Sequence, residues 1–237
     1  MPARLVAALA VLGLALAVGD AASARSAARP VVVVDPGHDL RANAGTEPIG
    51  PGSAERKIKD GGGTAGEPQV VLAVSLKLRA LLERAGVRVV MTRTHTAGTS
   101  MGNVARARIA NRAHAALFVR VHADGSTRSA DRGTHTLYPA TRPGWTDDIV
   151  APSLRAAGLV QAELVRSLGL PDRGLDRRSD LTGFNWADVP AILTELGFLT
   201  NPVDRRVLTS RDGQRRAALG LCRGTLRVLG RSPTACR

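Results

Sequence analysis

Apolar residues fall along this chain in two kinds of block that alternate. Val31 to Val34 is an unbroken β-branched run, the pattern of a strand covered on both faces of a sheet. It stops at Pro36-Gly37, a turn dipeptide that leaves His38 just past the strand's C-terminal end. From Pro68 to Ala85, Val71, Val74, Leu78, Leu81 and Leu82 recur at helical spacing, with Pro68 at a favoured first position and Gly86 at the stop. The same reading predicts strands over Val87–Thr92, Ala116–His122, Thr134–Tyr138 and Val189–Glu195, and helices over about Asn103–Ala113, Ile149–Leu168 and Gln214–Leu229. Residues 39–66, rich in Gly, Pro and charge, read as one long loop, of a size that is usually functional or mobile. Strands alternating with helices predict a single α/β domain, a mainly parallel twisted sheet with helices on both faces. In such sheets ligand groups gather outside the carboxyl ends of the strands, which places His38, His122 and Glu195 on one rim.

The chain begins differently. Arg4 precedes an almost wholly apolar run from Leu5 to Val18, and Ala22-Ser23-Ala24 follows as a small-x-small site, the pattern of a cleaved secretory signal peptide. The run is short against the roughly 20 residues that a spanning helix needs, and no later segment is apolar enough. The expected organisation is a signal peptide over 1–24 and one catalytic domain over 25–237, its core about 31–229. The mature protein is then expected outside the cytoplasm, secreted, in the periplasm or in the cell wall. Aromatics are only 3% of the residues, so the core must be built from Val, Leu, Ile and Ala.

The formal net charge is +13, which favours a polyanionic partner. Nucleic acid is not expected: no helix-turn-helix, zinc finger or RNA-binding signature is present, and stacking aromatics are scarce. An exported protein meets anionic wall polymers or lipid headgroups instead. The plainer reading is an ordinary solvated surface in which Arg replaces Lys, since Lys57, Lys59 and Lys77 are the only lysines. Cys222 and Cys236 can pair in an oxidising compartment or remain two thiols.

Candidate chemistry sits at the strand ends. His38, Glu67, His122 and Glu195 each lie in or beside an apolar run. Two imidazoles and a carboxylate are an established ligand set for a catalytic zinc that keeps one position for water, and a further Glu can act as its base. The separations, 29 from His38 to Glu67 and 55 from Glu67 to His122, carry little information alone, and no His-Glu-x-x-His helix exists. Glu67 also has a plain role as a carboxylate at a helix N-terminus. Glu195 in an apolar strand is costly to bury without a function.

Three runs narrow this. Val-Asp-Pro-Gly-His ending at His38, Val-His-Ala ending at Ala123, and Leu-Thr-Glu-Leu-Gly-Phe-Leu-Thr-Asn-Pro from Leu193 to Pro202 resemble the zinc-dependent N-acetylmuramoyl-L-alanine amidases of the Amidase_3 type. Leu81 to Arg93, Arg106 with Ile109-Ala110-Asn111, and Asp172-Arg173-Gly174 extend the match, in order, across nearly the whole mature chain. The resemblance implies hydrolysis of the amide between the lactyl group of N-acetylmuramic acid and the L-alanine of the peptidoglycan stem. It implies zinc held by His38, Glu67 and His122, with Glu195 as the acid/base. The chain departs from the pattern at Pro68, where Lys is usual, at Asp39-Leu40 for Gly-Gly, at Arg120 for Ser and at Asp124 for Asn. Asp35 either orients a ligand or caps the turn, and His95, His114 and His135 are expected on the surface or in packing. A non-catalytic wall-binding protein and a zinc peptidase of another exported amide remain as alternatives, separated by turnover and by product analysis.

Overall fold

The valine run becomes β1, Val31–Pro36, and its alternating side chains divide the molecule. Val32 and Val34 face a core shared with three long helices, while Val33 faces a second cluster on the opposite side of the sheet. The computed structural model describes residues 29–96, 98 and 100–237; the expected signal peptide lies outside them. After β1 come β2 (Asn43–Pro48), β3 (Arg56–Asp60), α1 (Glu67–Arg84), β4 (Arg88–Met91), α2 (Asn103–Arg112), β5 (Leu117–Asp124) and β6 (Thr134–Pro139). Then follow α3 (Val150–Leu168), β7 (Asp172–Arg178), α4 (Thr182–Asn185), β8 (Ala191–Phe198), α5 (Pro202–Thr209) and α6 (Arg211–Val228).

Six strands form one sheet in the order β4-β1-β5-β8-β6-β7. The first four are mutually parallel, β6 runs antiparallel to β8, and β7 is parallel to β6. The reversal has a local cause: residues 125–133, between β5 and β6, are too few for the crossover helix that a parallel return requires. Helices α1, α3 and α6 cover one face, and α2 and α4 the other. Helix α6 lies close on α3 because Gly224 and Gly220 carry no side chain; a Cβ at Gly224 would stand 2.6 Å from the Val160 Cα. Cys222 and Cys236 form a disulfide that ties α6 to the C-terminal segment. No helix among the described residues is long and apolar enough to cross a membrane.

Two regions differ from the pattern-based expectation. Residues 39–66 are not one loop: β2 and β3 pair antiparallel within them as a separate two-stranded sheet. The pair lacks an apolar alternation, and Ile58 is 57% exposed, so it carries no strand signal. It is held instead by long-range polar contacts. Glu47 accepts the backbone N–H groups of Asn103 and Val104 (2.7 and 3.1 Å), Asn103 donates to the Lys59 carbonyl (2.7 Å), and Trp186 Nε1 donates to the Pro48 carbonyl (2.9 Å). Strand β7, Asp-Arg-Gly-Leu-Asp-Arg-Arg, is charged because it is an edge strand, where charge discourages pairing with another chain.

Candidate metal centre

The strand ends converge as the rim argument expects. His38 follows β1 after Gly37 and takes a left-handed backbone conformation, φ 52°, uncommon for a residue with a side chain. Its Nδ1 lies 2.5 Å from Asp60 Oδ1. Burial pushes the Asp60 carboxyl up, but hydrogen bonds from His38 and Ser100 outweigh it and draw it down to about 2. Asp60 is therefore an acceptor only, Nδ1 carries the proton, and Nε2 is turned toward Glu67 Oε1, 3.4 Å away. Burial lowers the His38 pKa, and the Asp60 hydrogen bond with the Glu67 and Asp60 charges raises it overall.

Glu67 is the first residue of α1, reached through Gly66 in a left-handed conformation (φ 87°). Pro68 fits the first turn, and its carbonyl accepts from Arg93 Nη2 at 2.9 Å, so this departure from the family pattern leaves Glu67 in place. Glu67 Oε2 accepts the Thr64 N–H (2.9 Å), and Oε1 accepts the Ala123 N–H (3.2 Å) and lies 3.1 Å from His122 Nδ1. His122, on β5, is held in its neutral form by burial, which lowers its pKa against the pull of Glu67. One ligand-capable atom from each of His38, Glu67 and His122 falls within 4.8 Å of the others.

Glu195, on β8, stands in register with His122 on one side and His135 on the other. Its pKa is raised well above the usual carboxylate range, first by burial and then by the negative charges of Glu67 and Asp124. Its Oε2 is buried without a hydrogen-bond partner. His38, His122 and Glu195 line a cleft of about 280 Å³ together with Arg120, Leu137 and Leu193. His135 packs against Phe198, ring centroids 5.9 Å apart, whereas His95 and His114 are exposed.

Behind the cleft lies a buried ion cluster. Asp35 is fully buried and accepts from Thr92 Oγ1 (2.5 Å), Arg106 Nη1 (2.5 Å) and Arg120 Nε (2.9 Å). Burial opposes its ionisation, yet the two guanidiniums hold it well below the usual carboxylate range. The Asp35 side chain makes its hydrogen bonds to Thr92, Arg106 and Arg120 rather than to the convergent side chains. It braces the turn that carries His38, because Arg106 Nη1 also donates to the Pro36 carbonyl (2.9 Å). Arg93 donates to the carbonyls of Pro36, Gly37 and Pro68, joining that turn to the start of α1. Asp60 and Ser100 were not foreseen from the sequence. Neither lies in a patterned element, and Asp60 closes a hairpin that carries no apolar signal.

The comparisons fall on this same architecture. The family model Amidase_3, described as N-acetylmuramoyl-L-alanine amidase, matches residues 32–227. This chain belongs to that family. It is 34% identical over 206 residues to the N-acetylmuramoyl-L-alanine amidase Rv3717 of Mycobacterium tuberculosis, covering 82% of this chain and 84% of that one. Among solved structures, it is similar to the N-acetylmuramyl-L-alanine amidase Ami1 of Mycobacterium smegmatis, with a TM-score of 0.77, 30% identity, and coverage of 85% of this chain and 97% of that one. The catalytic domain of CwlV from Bacillus (Paenibacillus) polymyxa var. colistinus superposes with a TM-score of 0.65 at 26% identity, over 85% of this chain and 98% of that one. The amidase hydrolyses the bond between N-acetylmuramic acid and the L-alanine of the peptidoglycan stem.

Proposed function

We propose that the amidase is zinc-dependent, that His38, Glu67 and His122 hold the metal, and that Glu195 is the acid/base. The residues fit the group. The donor set of two imidazoles and one carboxylate suits zinc, and His122 Nε2 is buried without any hydrogen-bond partner, an arrangement that is costly unless something accepts its lone pair. The ring positions are cradled by glycine: a Cβ at Gly37 would lie 2.4 Å from His122 Cε1, and one at Gly63 would lie 2.6 Å from both His38 Cδ2 and Glu67 Oε2. A bound zinc ion supplies Lewis acidity and brings the pKa of its water near 7.

The chain's own residues do the rest. Asp60 fixes the His38 tautomer so that Nε2 faces the site, the partner role usual for a ligating imidazole. The Thr64 and Ala123 amides orient the Glu67 carboxylate, and against the opposing effect of burial the hydrogen bond from His122, with the His122 and His38 rings beside it, lowers its pKa. Glu195, with its raised pKa and unpartnered Oε2, takes a proton from the attacking water and passes it to the leaving L-alanine nitrogen. Water oxygen ends on the lactyl carbon, the C–N bond breaks, and a carboxylate and an amine result.

Around that core the reading extends to export: residues 1–24 are removed, 25–237 act as the catalytic domain, and the enzyme works in the cell wall or periplasm. The net charge of +13 adds attraction toward anionic wall polymers. The observation that carries the zinc reading is the convergence of three ligand atoms beside Glu195. Elemental analysis of purified protein is expected to find about one zinc per chain, and none in His122→Ala. Mass spectrometry of muropeptide digests should show peptide release that a chelator abolishes and zinc restores. Full turnover in chelator, or metal retained by His122→Ala, would overturn the assignment.

A further inference from the structure

The catalytic cleft does not end at Glu195. Lys59 lines both that cleft and a groove of about 590 Å³ between the hairpin β2–β3 and α2. Arg108, Arg112 and Trp186 line this groove and also the next hollow, of about 430 Å³. The three hollows therefore adjoin one another in a row that leads away from the site along α2, here called the track. Val104, Arg108 and Arg112 recur every fourth residue on one helix face, so the track follows the helix for about 12 Å. Arg56, Lys59, Arg108 and Arg112 line the middle groove, and its one carboxylate, Glu47, is spent on the amides of Asn103 and Val104. Arg108 lies over the Trp186 ring, 5.3 Å from its centroid, which adds an apolar strip beside the charge.

We propose that this track binds the glycan strand after its peptides have been removed, so that the amidase works along a strand rather than at isolated sites. The inference rests on the amide hydrolysis assigned to the cleft, but not on the identity of the metal. While the lactyl group is joined to L-alanine it is uncharged. Hydrolysis places the water oxygen on the lactyl carbon, moves a proton to the leaving amine, and leaves one carboxylate on each stripped muramic acid. Stripped glycan is thus a linear polymer whose repeating anions are made at the mouth of a groove lined by four cations. Arginine forks suit carboxylates, and a strand held there keeps its next peptide-bearing unit near Glu195.

The test measures binding of stripped glycan strands by calorimetry, against uncharged chitin oligosaccharides and free stem peptide, for three proteins. These are the unmodified enzyme, R108E/R112E, and R211E/R215E. The last pair reverses equal charge on a separate basic hollow between α1 and α6. The unmodified enzyme should bind stripped glycan more tightly than chitin. R108E/R112E should weaken that binding about tenfold, while R211E/R215E stays within about twofold. Turnover of a single disaccharide-peptide should be the same in all three, and on long strands R108E/R112E should scatter its cleavages where the unmodified enzyme clusters them. Equal binding of stripped glycan and chitin, equal losses in both double variants, or stem peptide binding with the same dependence on Arg108 and Arg112 would overturn the track. Absence of peptide release by the unmodified enzyme would instead refute the reaction, a readout separate from binding.

Discussion

Asp35→Asn tests whether the site rests on its buried ion cluster. The substitution keeps the side-chain volume and removes one negative charge from a position with no solvent exposure. It leaves the guanidinium side chains of Arg106 and Arg120, 3% and 5% exposed, facing each other without their shared counter-ion. Removing one partner of a buried pair costs about 3–5 kcal/mol, a large share of the roughly 5–15 kcal/mol that holds a domain folded. At about 2–4 °C per kcal/mol for a chain of this size, the melting temperature should fall by about 6–20 °C. Urea denaturation should show a lower midpoint with an unchanged slope. Adding Arg120→Met removes one stranded cation and should recover part of the loss, a coupling of about 0.5–3 kcal/mol. The pH dependence has a fixed sign. Asp35 is held below its unfolded value of 3.8, so its contribution is complete above that pH and fades as pH falls toward the depressed native value. The difference between Asp35→Asn and the unmodified protein should therefore shrink in acid. A cost under about 1 kcal/mol at pH 7, within the range of an ordinary exposed pair, would refute the reasoning.

Other predictions follow from single contacts. Glu195→Gln should retain metal by elemental analysis and lose about 10²- to 10⁴-fold in kcat; full activity would remove Glu195 from the chemistry. In chelated protein the raised Glu195 pKa favours the native state below its unfolded value of 4.5, and this advantage is lost as pH rises through the native value. Glu195→Gln should then gain stability over the parent toward alkaline pH, read from urea midpoints. Asp60→Asn frees the His38 ring and should weaken zinc about 10- to 100-fold in chelator competition, with little change in secondary structure by circular dichroism. Cys222→Ser opens a loop of sequence separation 14 and should cost about 3 kcal/mol, with kcat unchanged because the bridge lies on the α6 side of the molecule.

Elements with one apolar stripe or a β-branched run were legible in the sequence, because their own spacing records which face is buried. Helix α1 was expected over Pro68–Ala85 and lies at Glu67–Arg84, and α2 and α3 differ by similarly small margins. Strand β1 ends where Pro36-Gly37 requires, and β8 runs on to Phe198. The hairpin, β7, α4 and α5 were not legible. Their stabilising contacts are charges, caps and backbone groups supplied by distant segments, such as Glu47 on the amides of α2 and Asn201 capping α5. The short 125–133 connection rules out a parallel return for β6, but the place of β6 between β8 and β7 is set by the assembled sheet, and no single segment encodes it.

The site divides along the same line. Spacing along the chain carried little; the resemblance of the runs around His38, His122 and Glu195 to the amidase family made His38, Glu67, His122 and Glu195 the candidates. The tertiary structure decided how these groups are tuned. Asp60 orients His38 from 22 residues away, Asp35 draws Arg106 and Arg120 together across separations of 71 and 85, and β5–β8 pairing sets Glu195 beside His122. Spacing along a chain encodes faces and ends; the partners that set a proton's position or a charge's cost are brought near only when the sheet closes, so they leave no local pattern to read.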